Sequence, residues 1–591
     1  MMTYDETPER KAYIDARGYV ILSACPGSGK TTSIVRKLFD VSRYCKGNYG
    51  HHTGFACLSF TNKACDELRQ KYYDMHGEAL AFPNIVSTID SFIMQNIVLP
   101  YWYLYPYCKG RPQVVNEQRL LHNIYFNLGK YPKNELKSFG QVVYSYAPEK
   151  IAADYGGFYY EGKVVASGLK NYCNTVVLMR YANGIITSQD ALVMALNILS
   201  RHNEIASIIA HRYPYIIVDE AQDNSYLQYL LFGILKNAGL KNLEFVGDTC
   251  QSIYRYRNAH PETFMKLMKK DEWKTLHFKD CRRSNQRIID LYNKLRPLDI
   301  PPIKSYGVQD LNIPIIIYKY DSASLTIIMN DFEWRCKKNN LHDFGIIARG
   351  STGIKRLLEI DSDDLEFWKS PLPYLIIEAF NSKVNGNYDD AFRKIRLLLG
   401  NLKFGVNQYK EKREFIADIE HNLEWNRSIY KFLEEIPSFA SSFEKWTEQT
   451  QNLLQSFWSL KYKPDFQAHK KIKGHVMKVL KKESVSKYYS IKKPNVGGYK
   501  GSINTIHSYK GASLDAVLLF LSPTSRGQSV SLHDFPLQPI AKMEDMTEKQ
   551  SMIYVACSRA KQFLAIAVPK TVKDDVIAKT FSGIKYDLLM Y

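Results

Sequence analysis

Apolar residues along this chain gather in short runs closed by small, polar or charged residues. An early set occupies 19–22, 55–58, 215–218 and 243–246, and a late set 314–318, 344–348, 516–521 and 563–568. Runs this short, with little polar alternation, predict strands buried on both faces, as in parallel sheets. Stretches of helical pattern lie between them, which predicts α/β architecture. Two sets of runs predict two parallel sheets and two α/β domains.

Each set is interrupted by a long insertion. Residues 101–205 are rich in Tyr and contain a hairpin-like stretch from Gly156 to Gly162. They end on a helix signal: Thr187 and Asp190 have capping-box spacing, and Leu192, Ala195, Leu196 and Leu199 follow at helical intervals. Residues 362–495 are helical in pattern, with Ala391, Ile395, Leu398 and Leu399, then Trp446, Leu453, Leu454 and Trp458. The expected organisation is a first α/β domain in two parts, 1–100 and 206–278, around the 101–205 insertion. A second, in parts 279–361 and 496–591, surrounds the helical insertion 362–495.

Composition narrows the class. The 591 residues are 45% hydrophobic and 24% charged, which suits a globular protein and excludes a disordered or collagen-like one. The formal charge of +19 points to a polyanion, either nucleic acid or an anionic membrane. Between residues 461 and 500 there are 12 Lys against two acids, Asp465 and Glu483. That run reads either as a solvated helix face or as a nucleic-acid contact. No stretch approaches the ~18 apolar residues of a spanning helix, and the first residues lack a signal-peptide core. The ten Cys form no Cys-x-x-Cys pair, so metal clusters have no local support and a cytoplasmic location with reduced thiols is expected.

The strongest chemical signal is Ala24-Cys25-Pro26-Gly27-Ser28-Gly29-Lys30-Thr31-Thr32, after a predicted strand and before a helix. This is the context of a phosphate-binding loop. Gly27 and Gly29 let backbone N–H groups turn inward around phosphate oxygens, and the helix N-terminus adds positive dipole. Lys30 reaches the β- and γ-phosphates, and Thr31 offers a hydroxyl to Mg²⁺. The run 215–218 ends on Asp219-Glu220, the acidic half of such a site. Asp219 is expected to hold Mg²⁺ through water and Glu220 to polarise the attacking water.

The blocks beyond Glu220 carry a family resemblance. Asp219-Glu220-Ala221-Gln222-Asp223 resembles motif II of superfamily 1 helicases of the UvrD/Rep/PcrA group. Phe60-Thr61-Asn62-Lys63-Ala64 and Ser87 to Phe92 resemble motifs Ia and Ib, and Val246 to Arg257 resembles motif III. Cys281-Arg282 sits where motif IV belongs, Thr505 to Gly511 resembles motif V, and Tyr554 to Ala560 resembles motif VI. The resemblance implies two RecA-like phosphate-loop domains, each with a mostly helical insertion, and ATP with Mg²⁺ between them. It implies that Gln251 senses the γ-phosphate and that Arg282 and Arg559 act as arginine fingers. It places Phe60, Asn62, Tyr254, Tyr256, Arg257 and His507 along a DNA strand.

The chain departs from that pattern at the base. No Gln occurs in residues 1–30 to read adenine, and Cys281 stands where relatives stack an aromatic ring on it. Ser513 replaces the acid after motif V. Adenine selectivity is therefore open, and GTP is a candidate substrate. With only about 30 residues after Ala560, no appended nuclease domain is expected. Compact members of this kind, such as GajB-like subunits of anti-phage systems, resemble it in size and motif style. Two functions follow from the resemblance. One is an ATP-driven 3′→5′ translocase and helicase of repair or defence, stimulated by single-stranded DNA. The other is a DNA- or nucleotide-sensing ATPase subunit that regulates a separate nuclease.

Overall fold

The computed structural model describes residues 4–591, apart from 106–107, 109, 115–142, 146–156, 161–162, 165–180, 182–183, 256–258, 322, 350–366, 369, 371, 385–387, 405–408, 459–463, 465, 468–480, 489–498, 500 and 526–528. The chain divides into two compact units, one holding two six-stranded sheets and the other a helical segment from the second insertion.

The first sheet comprises β1 (Tyr19–Ala24), β2 (Phe55–Ser59), β3 (Ile85–Thr88), β4 (Tyr215–Val218), β5 (Asn242–Gly247) and β6 (Lys274–Phe278). They run parallel in the spatial order β6-β1-β5-β4-β2-β3. The second comprises β7 (Ile315–Tyr320), β8 (Phe344–Ala348), β9 (Ser502–Thr505), β10 (Leu514–Phe520), β11 (Ala560–Pro569) and β12 (Tyr586–Met590). These are parallel in the order β9-β8-β10-β11-β7-β12. Two parallel-sheet α/β domains are thus present. The eight inner strands are the eight apolar runs of the sequence, and every residue of β2, β4, β5 and β7 is buried. The four edge strands β3, β6, β9 and β12 have no such run. Each has one open flank and is only partly buried, so its sequence is mixed.

Helices cover the sheets for legible reasons. Helix α1 (Pro8–Asp15) has Pro at its first position, and α2 (Lys30–Tyr49) starts directly from the phosphate-loop sequence. Helix α3 (Asn62–His76) is capped by Thr61, whose hydroxyl accepts from the Ala64 N–H at 3.2 Å. Helix α4 (Ser188–Arg201) has the expected box: Thr187 Oγ1 accepts from Asp190 N at 3.1 Å, and Asp190 Oδ2 from Thr187 N at 2.8 Å. Its face at Leu192, Ala195, Leu196 and Leu199 is buried. Helices α5 (Gln286–Asn293) and α6 (Glu548–Cys557) pack on the second sheet. The core of that sheet runs on into Cys25, Cys250 and Ile253 of the first domain. Fully burying each such aliphatic side chain contributes about 1.5–3 kcal/mol.

Most of the 101–205 insertion lies outside the described residues. The part that is described includes a strand Gly157–Tyr160 paired antiparallel with Val143–Ser145 and Lys163–Val164; it covers four residues of the hairpin-like stretch, whose remaining residues, 156, 161 and 162, lie outside the described ones. The helical unit packs Leu372–Val384, Tyr388–Phe404, Leu423–Glu435 and Phe443–Trp458 around a core that includes Trp368, Ile395, Leu398, Phe432 and Trp446. Most of the basic run 461–500 lies outside the described residues.

Candidate functional site

Four neighbouring strands of the first sheet, β1, β5, β4 and β2, end at one edge, and each hands its next residues to the site. Open parallel sheets bind ligands at this carboxyl edge. Residues 25–32, after β1, line a cavity of about 370 Å³, within the range of small-molecule sites. Ala24 is the exception among the expected loop residues: it closes β1, is 2% exposed, and belongs to the sheet's core. Gly27 (φ 71°) and Gly29 (φ 85°) hold left-handed backbone that other residues resist. A Cβ on Gly27 would also collide with Arg283 Cβ. Lys30, Thr31 and Thr32 open α2 and face the cavity at its dipole end.

The acids follow β4. Glu220 also sits in left-handed backbone (φ 54°, ψ 38°), a conformation that costs roughly 1–3 kcal/mol in a non-glycine residue and clusters at functional sites. Its Oε1 lies 3.5 Å from Lys30 Nζ, and Oε2 accepts from Gln222 Nε2 at 2.5 Å. Burial pushes its carboxyl up, but Lys30, Lys510 and the Gln222 bond outweigh it and hold Glu220 down to about 2. Burial, and then the Glu220 charge, push Asp219 up to about 7. One acid is thus firmly ionised, and its neighbour gains from a cation. The Thr31 hydroxyl and Asp219 carboxylate line the same cavity. Two hard oxygen donors fit Mg²⁺, which keeps waters and shares phosphate oxygens rather than filling a protein cage. Among the described residues no cluster of three or more His, Cys, Asp or Glu forms such a cage.

The second sheet contributes cations. Arg559, 2% exposed, precedes β11 and donates from Nη2 to Gln251 Oε1 at 2.8 Å. Burial, then the Arg283 guanidinium, pull Arg559 down to about 9, so its charge is held at a cost that an anion entering here would offset. Lys510 donates to Gln251 O at 2.8 Å and pairs with Asp223.

The two arginines after β6 separate. Arg282 lines the cavity, yet its Nη1 is 2.5 Å from Asp5 Oδ2 and its guanidinium lies 4.1 Å over the Tyr306 ring. Arg283 is the one beside Arg559, with Nη1 bonded to Ser558 O at 3.1 Å. The sequence expectation named Arg282; Arg283 is a further cavity residue that it missed. Cys281, expected at the base-stacking place, is fully buried, and its Sγ takes up Ser284 N and Tyr292 OH. Arg10, also missed, donates to Ser28 O at 2.8 Å and lies over the Tyr4 ring.

An aromatic row adjoins the cavity. Phe60 stacks on Tyr254 at 5.3 Å, and Tyr254 meets His507 at 5.4 Å. His507 Nε2 must donate to Ile253 O at 3.1 Å, since a carbonyl only accepts, so Nδ1 accepts from Arg349 Nη1 at 3.0 Å. Asn62 is exposed at the start of α3. Tyr256 and Arg257 lie outside the described residues.

Residues 6–272 match the UvrD/REP helicase N-terminal domain, and residues 312–571 match the UvrD-like helicase C-terminal domain. The chain belongs to the UvrD/Rep helicase family. Similar relatives include the ATP-dependent DNA helicase Rep of Buchnera aphidicola, 26% identical over 481 residues, covering 73% of this chain and 70% of that protein. The putative ATP-dependent DNA helicase YjcD of Bacillus subtilis is 23% identical, over 61% of this chain and 52% of its own length. Rep of Escherichia coli is 26% identical, over 47% and 41%.

In this helicase the motif residues Gly27, Lys30, Asp219, Glu220, Gln251 and Arg559 therefore gather at one cavity, 532 positions apart at the extremes of sequence. Lys510 and Gln222 carried a visible signal inside their blocks. The doublet Arg282-Arg283 did not reveal that both members reach the cavity, nor which one lies beside Arg559. No helix among the described residues is long and apolar enough to cross a membrane, and the nine described cysteines are free and buried.

Proposed function

We propose that this chain is an ATP-dependent DNA helicase whose nucleotide hydrolysis is stimulated by single-stranded DNA and drives 3′→5′ translocation. The observation that carries the reading is one side-chain path. Arg559 of the second sheet bonds Gln251, Lys510 bonds the Gln251 carbonyl, and three residues on Tyr254 stands in the aromatic row. A change at the phosphate end therefore moves the groups that would stack bases.

The chemistry follows from the residues. The loop 25–29 and Lys30 bind the phosphates, and Arg559 and Arg283 supply positive charge from the other sheet. Such arginines contribute roughly 10³–10⁵ in rate. Thr31 and Asp219 would hold Mg²⁺, which neutralises phosphate charge when bound. Glu220, held ionised, orients and polarises water. Phe60 and Tyr254 stack bases without sequence preference. The polarity and a role in repair or anti-phage defence rest on family likeness. Two arginines near the loop, Arg10 and Arg282, together with the missing Gln and the Cys281 position, support acceptance of GTP as well as ATP.

The test is nucleotide turnover with and without single-stranded DNA, for the wild type and Lys30→Ala. Stimulation by DNA that Lys30→Ala abolishes supports the motor, and unwinding of a 3′-tailed duplex then fixes polarity. Turnover indifferent to DNA contradicts it and directs attention to a sensing subunit with a nuclease partner.

A further inference from the structure

One half-buried arginine outside every helicase block is wired to the amide of Gln251. Arg296 follows α5; its Nε donates to Pro301 O at 2.9 Å and its Nη1 to Tyr554 OH at 3.0 Å. Tyr554, fully buried on α6, reaches Asp248 Oδ2 at 3.4 Å. Asp248 Oδ2 also accepts from Gln251 Nε2 at 2.9 Å. The backbone N–H of Asp248 donates to Gln222 Oε1 at 3.1 Å, and Gln222 Nε2 donates to Glu220.

The donor inventory fixes the direction of every link. Guanidinium only donates, and an ionised carboxylate only accepts. Arg296 therefore makes the Tyr554 oxygen an acceptor and turns its O–H onto Asp248. Asp248 must take the NH₂ side of Gln251, which turns Oε1 toward Arg559. The Asp248 N–H must take the oxygen of Gln222, which turns its NH₂ toward Glu220. An amide has two faces of similar shape, so only such partners keep it from flipping. A buried network satisfied in one sense specifies one arrangement.

We propose that Arg296 is a positioning residue for hydrolysis: through Tyr554 and the Asp248 carboxylate it holds the amide of Gln251 in the orientation that faces Arg559. It touches neither phosphate nor water. The inference rests on the hydrolytic reading above.

The test uses the full chain and steady-state turnover with single-stranded DNA. Tyr554→Phe keeps the buried ring and removes only the hydroxyl, and Arg296→Met removes the anchor. Each is expected to lower kcat roughly tenfold, the effect of one lost positioning bond, with KM for nucleotide changed less than about twofold. The double variant is expected to be no worse than either single one, because both cut the same path. Arg296→Lys, whose ammonium can still donate to Tyr554, is expected to recover part of the loss. If Arg296→Met does not fold, Tyr554→Phe and Arg296→Lys decide alone. Unchanged kcat in Tyr554→Phe, additive losses in the double variant, or a rise in KM matching the fall in kcat overturns the proposal. A wild type that turns over no nucleotide overturns the hydrolytic reading itself, whereas an active wild type with equally active variants overturns only the role of Arg296.

Discussion

The two sheets contribute to one cavity by different means. The first works mainly through backbone. Its loop after β1 would wrap phosphate with peptide N–H groups, Glu220 sits in strained backbone after β4, and Gln251, the proposed sensor, lies in the turn after β5. The second has no phosphate loop and reaches in with long cationic side chains, Arg283, Lys510 and Arg559. Backbone sites bind whatever the state of the other half, whereas side chains from across a cleft act only when it closes. The difference separates binding from turnover, and variants can be ranked by which side they remove.

The largest effect is expected from the first sheet. Lys30→Ala should abolish turnover and weaken nucleotide binding together, read by a fluorescent nucleotide titration beside the turnover assay. Intact binding would merge the two halves' roles. Next comes Arg283→Ala, expected to cut turnover roughly 10³-fold or more while sparing binding, since an arginine finger acts on the transition state. Arg282→Ala, engaged by Asp5 and Tyr306, should lower turnover far less and act on nucleotide KM instead. The reverse ranking would restore Arg282 as the finger.

A smaller effect is expected at the link between halves. Lys510→Met leaves Asp223 buried without its cation and frees the Gln251 carbonyl. It should reduce stimulation by single-stranded DNA about tenfold, in line with a lost charged hydrogen bond, and basal turnover less. Equal loss of both would place Lys510 in the chemistry. The smallest effect on hydrolysis is expected for Tyr254→Ala. Removing one stacking ring should cost roughly 1–3 kcal/mol of single-strand affinity, measured by anisotropy, with basal turnover changed least. Unchanged affinity would remove the aromatic row from the strand path.

The same contrast explains what could be read in the chain. All eight inner strands announce themselves, because burial on both faces demands unbroken apolar runs. The edge strands β3, β6, β9 and β12 do not, because Ser87, Lys274, Asn504 and Asp587 are tolerated on half-exposed edges. Within the site, Lys30, Asp219 and Glu220 are legible because backbone shape fixes their spacing. Side-chain contributions from the second sheet are less so. Motif order led to Cys281-Arg282, while the fold buries Cys281 against Tyr292 and brings Arg283 to the cavity beside Arg282. Arg10 carried no pattern at all; its contact with Ser28 O joins positions that only the fold brings together.

On this reading, second-sheet cations convert a bound nucleotide into a hydrolysed one under the control of DNA. Arg559→Ala, assayed for nucleotide binding and for turnover with and without single-stranded DNA, tests it most directly. Near-normal binding is expected, with DNA-stimulated turnover reduced by roughly 10³-fold or more. Stimulated turnover close to that of the wild type would contradict it.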